Sequence, residues 1–137
     1  MEVPDYWDSL SPEFIQAADN GCGLASWPPL LRKFADLYSG FKAPAAVHDV
    51  EWTMAARVVQ FGDSESLDRY AELIHESNRR FYRNCRTVAV GVSTPLWRHP
   101  LKRFRRWRVA CRFYRYVQIG GAAAILAMRR KHDRGNV

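Results

Sequence analysis

Apolar residues along this chain recur at three- and four-residue steps rather than in alternation, which is the period of helices and not of strands. The clearest run is Leu67, Ala71, Ile74, Phe81, Cys85 and Val88, in which the step from 74 to 81 spans two turns. It predicts the longest amphipathic helix of the chain. Ser11-Pro12-Glu13 predicts an earlier helix, with Ser as N-cap and Pro at the first helical position, ending by Asn20-Gly21. The stretch "WPPLLRKFADLYSG", residues 27–40, predicts another turn or two, opened by Pro28-Pro29 and stopped at Gly40. Pro44 opens a helix carrying Ala46, Val47, Val50 and Met54, and "FGDSES", 61–66, breaks the pattern with Ser64 as a cap. Gly91, Pro95 and Pro100 then interrupt the chain. A last helix starts at Leu101, loosened at Gly120-Gly121, before a frayed basic tail "RRKHDRGNV". The expected class is mainly α, without internal repeats.

Length and composition narrow this pattern to one domain with a real core. The chain has 137 residues, 47% hydrophobic and 13% aromatic. Its expected organisation is an N-terminal segment 1–18, a core 19–93, a basic aromatic helical region 94–131 and a tail 132–137. The opening "MEVPDYWDSL" has neither the basic nor the apolar stretch of a secretory signal. The longest apolar run, "IGGAAAILAM", is about half of what a bilayer span needs, so no transmembrane segment is expected. Cys22, Cys85 and Cys111 are sparse and far apart, which suits reduced thiols and a cytoplasmic protein better than a disulfide framework or a zinc site.

Charge changes the picture more. Residues 1–78 hold 5 Lys/Arg and 13 Asp/Glu, a net −8, whereas residues 79–137 hold 16 and 1, a net +15. Such a split directs the C-terminal half toward an anionic partner, or toward the acidic half of the same fold. Eight of those cations lie between 98 and 115, interleaved with Phe104, Trp107, Phe113 and Tyr114. On a helix Arg105, Arg108, Arg112 and Arg115 share one stripe. With Trp107 they form the candidate anionic-partner site, suited to an anionic phospholipid surface or to a protein or nucleic-acid complex. The alternative is an aromatic stripe facing the core and a solvated arginine face. No helix-turn-helix or zinc-finger pattern is present, so sequence-specific DNA binding is not expected.

Candidate chemistry sits in "NGCGLASW", 20–27, and "AAVHDVEW", 45–52. Glycines let a loop turn its carbonyl oxygens inward, and hard calcium ions favour such oxygens together with carboxylates. His48 is the natural general base near neutral pH, Asp49 offers a carboxylate, and Trp52 lies one turn beyond His48 on the same side. An imidazole acting as a base needs an acceptor on its other nitrogen, and Asp68 in "SLDRYAEL" is the candidate. Hairpin geometry sets a condition on that pairing. If the helix holding His48 runs unbroken to Gln60, His48 lies about 18 Å from its end and Asp68 about 6 Å into the next helix. The pair meets only if the first helix stops near residues 54–57; otherwise His75 or Glu76 comes level with His48.

The ordered set "NGCG", "HDVEW", "LDRYAEL" and "RRWRVACRFYRYVQIGG" resembles the secretory-type phospholipases A₂. It is closer still to short phage and prophage proteins with a phospholipase A₂-like core, over roughly residues 19 to 125. The resemblance implies an antiparallel helix pair preceded by a Gly-rich loop, with the basic aromatic helix as an addition. It makes the carbonyls of Gly21, Gly23 and Ala25 and the Asp49 carboxylate the calcium ligands. It makes His48 the base for water attacking the ester at the middle glycerol carbon, with Asp68 orienting His48. Three positions depart from the family: Ala25 for the loop's last glycine, Trp52 for a tyrosine, and Ala45 for the cysteine that pairs with the loop cysteine. The implied function is that of a phage-encoded, calcium-dependent phospholipid ester hydrolase, in the host cytoplasm or peripheral at the inner membrane surface. The alternative is a non-catalytic phage protein of the same fold that binds and inhibits a host protein or nucleic-acid complex through its basic C-terminal half.

Overall fold

The computed structural model describes residues 1–19, 41–58, 64–90 and 100–135. Within them a single 3-10 turn at Trp7–Ser9 precedes four α-helices: α1 Pro12–Ala18, α2 Lys42–Val58, α3 Ser64–Val90 and α4 Pro100–Gly135. The described residues are thus mainly α. The helix expected over 27–40 and the Gly91 and Pro95 break lie outside them.

Local chemistry sets α1 as expected. Ser11 is extended and its hydroxyl accepts from the Phe14 N–H at 3.2 Å, while Pro12 takes the first helical position, where a missing N–H costs nothing. The chain before α1 is strapped to α3. Asn84, 1% exposed, accepts from the Glu2 N–H and donates to the Glu2 carbonyl, both at 2.7 Å, and Arg83 pairs with the Glu2 carboxylate. At the other end of this segment the Arg57 guanidinium lies 4.5 Å from the centre of the Phe14 ring.

Packing joins α2 to α3 and α3 to α4, each pair antiparallel, with α1 against α2. Two apolar layers result. One unites Phe41 and Ala45 with Phe81, Cys85 and Ala89 of α3 and Ala110 of α4, backed by Phe113 and Val117. The other unites Ala55 with Tyr70 and Ile74, backed by Trp52, Ile125 and Met128. Between the layers lie His48 of α2, Asn78 of α3 and the Val117 carbonyl of α4. That gap between layers holds the polar site.

Three expectations about helix limits are corrected. The longest helix is α4, at 36 residues against 27 for α3. It passes through Gly120-Gly121 without a break, and Gly121 packs against Ile74 and Asn78 of α3. It also persists to Gly135 where a frayed tail was expected, since Met128 packs on the second apolar layer and Arg129 reaches Asp68 of α3 at 3.5 Å. Among the described residues no helix is long and apolar enough to cross a membrane.

Candidate functional site

His48 is drawn inward by its position on the buried stripe of α2, with Ala45, Val47, Val50 and Ala55. It is 6% exposed and lies between two aromatic rings, Trp52 at 5.0 Å and Phe81 at 4.9 Å between centroids. Its Nε2 is 2.9 Å from Oδ1 of Asn78, itself fully buried on α3. The indole N–H of Trp52 donates to the same oxygen at 3.3 Å. The Asn78 amide nitrogen donates across to the Val117 carbonyl of α4 at 3.2 Å.

These contacts fix more than position. An indole N–H can only donate, so the Asn78 atom facing Trp52 must be the oxygen. A backbone carbonyl can only accept, so the atom facing Val117 must be the amide nitrogen. The two constraints agree, and they set the amide's orientation without reference to His48. That oxygen can only accept, so His48 must present a proton at Nε2. In the neutral ring the lone pair is then on Nδ1. Nδ1 lies 3.7 Å from Oδ1 of Asp49, whose side chain is 17% exposed.

Asp68 does not meet His48. It sits on the exposed side of α3 beside Arg129, about 15 Å further along the helix axis than Asn78. The reason is the length of α2, which continues to Val58 and so carries the level of His48 deeper along α3. His75 and Glu76, the other residues expected to come level, are displaced by less than a turn from Asn78; Glu76 pairs with Arg83. Trp52 contributes its N–H to the site, on the acceptor that His48 also uses. Gly21, Gly23 and Ala25 lie outside the described residues. Asp49 is therefore the one member of the expected calcium set whose placement is described, and no group of three metal-ligating side chains converges among the described residues.

Asn78 was absent from the sequence-based candidates. Its signal is the two-turn step between Ile74 and Phe81, a gap in the apolar stripe that position 78 fills with an amide. Gly121 completes the site from behind. A Cβ there would lie 2.8 Å from Asn78 Nδ2 and 3.0 Å from Ile74 Cγ2, so glycine lets α4 bring the Val117 carbonyl to Asn78 without displacing either side chain.

One turn along α2, Glu51 is 8% exposed and pairs with Arg80 of α3. Burial pushes its carboxyl above the ordinary value, and the Arg80 guanidinium pulls it partly back. The pair floors a cleft of about 500 Å³ that Pro4, Asp5 and Tyr6 roof over. The Tyr6 phenol is pushed up to about 12, first by burial and then by Glu51, and stays a neutral donor at physiological pH.

On α4, Arg105, Arg108 and Arg112 are exposed and border a shallow notch of about 210 Å³ with Val109. Arg115 is exposed on the same side, and Trp107 is 41% exposed. The sequence-based arginine stripe is therefore on the surface. The aromatic face divides: Phe113 supports the first apolar layer, whereas Phe104, 53% exposed, lies 5.8 Å from Trp107 outside the core. Cys85 is a buried thiol and Cys111 a half-buried one, 4.0 Å from the Tyr82 hydroxyl.

Neither a known family model, nor a curated protein, nor a solved structure matches this chain.

Proposed function

We propose that the chain is a phage-encoded phospholipase A₂-like protein that hydrolyses phospholipid esters with His48 as the base. The observation that carries this is the tautomer. With Nε2–H held on Asn78, Nδ1 is the basic nitrogen, beside the Asp49 carboxylate. A water on Nδ1 gives up its proton as its oxygen attacks the ester carbonyl. The imidazolium so formed is stabilised by Asp49 and returns the proton to the departing glycerol oxygen. Asn78 orients the ring in place of the family's aspartate, as a neutral acceptor. Asp49 offers hard carboxylate oxygens, and carbonyls of Gly21, Gly23 and Ala25 would complete an all-oxygen set of the kind calcium prefers. When bound, that ion supplies positive charge to the oxyanion and to the phosphate.

The test is fatty-acid release from anionic phospholipid vesicles with calcium or chelator. Release that requires calcium and disappears in His48→Gln supports the reading. Folded wild-type protein that releases nothing under saturating calcium refutes it.

A second reading rests on the neutrality of the His48 partner, since an amide cannot balance an imidazolium as a carboxylate does. On this reading the His48 network braces three helices, and the protein works in the host cytoplasm as a binding protein through its basic C-terminal half. It predicts salt-sensitive partner binding that survives His48→Gln and is lost on charge reversal at Arg105, Arg108 and Arg112.

A further inference from the structure

The outward side of α4 between residues 104 and 115 carries charge that nothing in the described fold neutralises. Arg105, Arg108, Arg112 and Arg115 fall within about 80° of one another around the helix axis, opposite the fully buried Ala110. None of these four meets a carboxylate among the described residues, and the only acidic residue of α4 is Asp133 at its far end. Cations held this way on a rigid element concentrate polyanions.

Geometry separates the kinds of polyanion. A helix that beds into a bilayer interface places apolar side chains at the middle of the face it inserts and turns its cations away from the lipid. Here the guanidinium groups occupy the middle of the exposed face. Phe104 and Trp107 flank it on one side, exposed by 53% and 41%, their ring centres 5.8 Å apart and their planes tilted by 31°. From Arg105 to Arg115 the helix rises about 15 Å, the axial rise of roughly four nucleotides of one strand. An acidic peptide would use the charges but has no need of exposed aromatic rings beside them, whereas unstacked bases pack on such rings.

We propose that this face binds a single-stranded nucleic acid without sequence preference, its phosphates along the four arginines and its bases against Phe104 and Trp107. The surface lies on the side of α4 turned away from the core that holds His48, and its function is independent of hydrolysis.

The experiment measures anisotropy of a fluorescein-labelled 20-nucleotide oligothymidylate titrated with the full chain, in chelator and without lipid. Four neutralised phosphates predict a slope of log affinity against log salt of about −2.8. Replacing Arg105, Arg108 and Arg112 together by Ala should cut affinity at low salt at least tenfold and reduce the slope by about 2. Trp107→Leu should weaken binding roughly tenfold and leave the slope unchanged, because stacking releases no counterions. Circular dichroism checks that each variant keeps its helix. Absence of salt-dependent binding overturns the proposal. So does equal competition by polyglutamate, tighter binding of a duplex, or binding of anionic vesicles by a protein that ignores the oligonucleotide.

Discussion

Gly121→Ala is the substitution whose outcome the fold determines most sharply. In an isolated helix this change is favourable by about 1 kcal/mol, since alanine is the better helix former. In α4 the new methyl would stand 2.8 Å from Asn78 Nδ2 and 3.0 Å from Ile74 Cγ2, with Trp52 Cζ2 at 3.7 Å. Ile74 and Asn78 are both 0% exposed, and Asn78 is tied to His48, Trp52 and Val117. If the helices separate, overpacking costs about 1–3 kcal/mol. If the Asn78 amide rotates instead, its bond to Val117 is lost and the donors of His48 and Trp52 lose their acceptor, at about 1–3 kcal/mol for each group orphaned. The cheaper route sets the outcome: overpacking less the propensity gain leaves a net loss of about 1 kcal/mol, or a fall of roughly 4 °C in unfolding midpoint for a chain of this size. Urea unfolding followed at 222 nm measures it directly. Repeating the change in an Asn78→Ala background removes the closest contact, so the penalty there should shrink by about 1 kcal/mol or more. If Gly121→Ala raises stability by its helix propensity alone, α3 and α4 do not approach as described and the account of Asn78 falls with it.

Other consequences are equally open to measurement. Asn78→Leu should destabilise the fold by about 2–3 kcal/mol, because the buried His48 donor and the half-buried Trp52 donor lose their acceptor. Nitrogen-15 NMR of His48 should then lose the Nε2–H tautomer expected of the wild type; an unchanged tautomer would mean Asn78 does not set it. Asn84→Ala should cost about 1–2 kcal/mol by removing two half-buried bonds to Glu2, and should open residues 2–10 to limited proteolysis. Cleavage no faster than in the wild type would show the segment is held elsewhere. Glu51 adds a dependence on pH. Burial raises its carboxyl above 4.5, so the fold holds that proton more tightly than the unfolded chain does. Its contribution to stability is whole below about pH 4.5 and is lost as pH rises through the raised value. Glu51→Gln removes that loss, so relative to wild type the variant should fare better at pH 7 than at pH 4. A gap between the two proteins that stays constant with pH would contradict it.

The sequence carried the helices further than it carried the site. Ser11 and Pro12 announce α1 through cap chemistry, and the stripe from Leu67 to Val88 announces α3, because both signals are local. Partnership across a hairpin is not local. Whether Asp68 or Asn78 faces His48 depends on where α2 ends, a matter of a few residues that no cap signal marks. The apolar stripe did hold a clue, since the missing position between Ile74 and Phe81 is Asn78. Gly120-Gly121 shows the opposite case: paired glycines suggest a weak point in a lone helix, and only the neighbouring helix reveals that Gly121 is a point of contact. The arginine stripe was legible because helical spacing alone places it on one side. Its aromatic neighbours were not, since burial of Phe113 and exposure of Phe104 depend on which way α4 rolls against α3.

The Asn78 network also governs alignment. Apolar layers such as those around Ile74 and Cys85 carry no hydrogen-bond pairing that fixes a stagger, and helices packed by such layers alone are the ones most able to slip by a turn of about 5.4 Å. One amide that must satisfy an imidazole and an indole on α2 and a carbonyl on α4 tolerates no such slip, because every shifted pairing strands several polar groups in oil. Asn78 therefore works as a key that sets three helices to one stagger. It follows that His48 is needed for a single native arrangement whether or not it ever touches a substrate, and a chain that abandoned catalysis would still have reason to keep it.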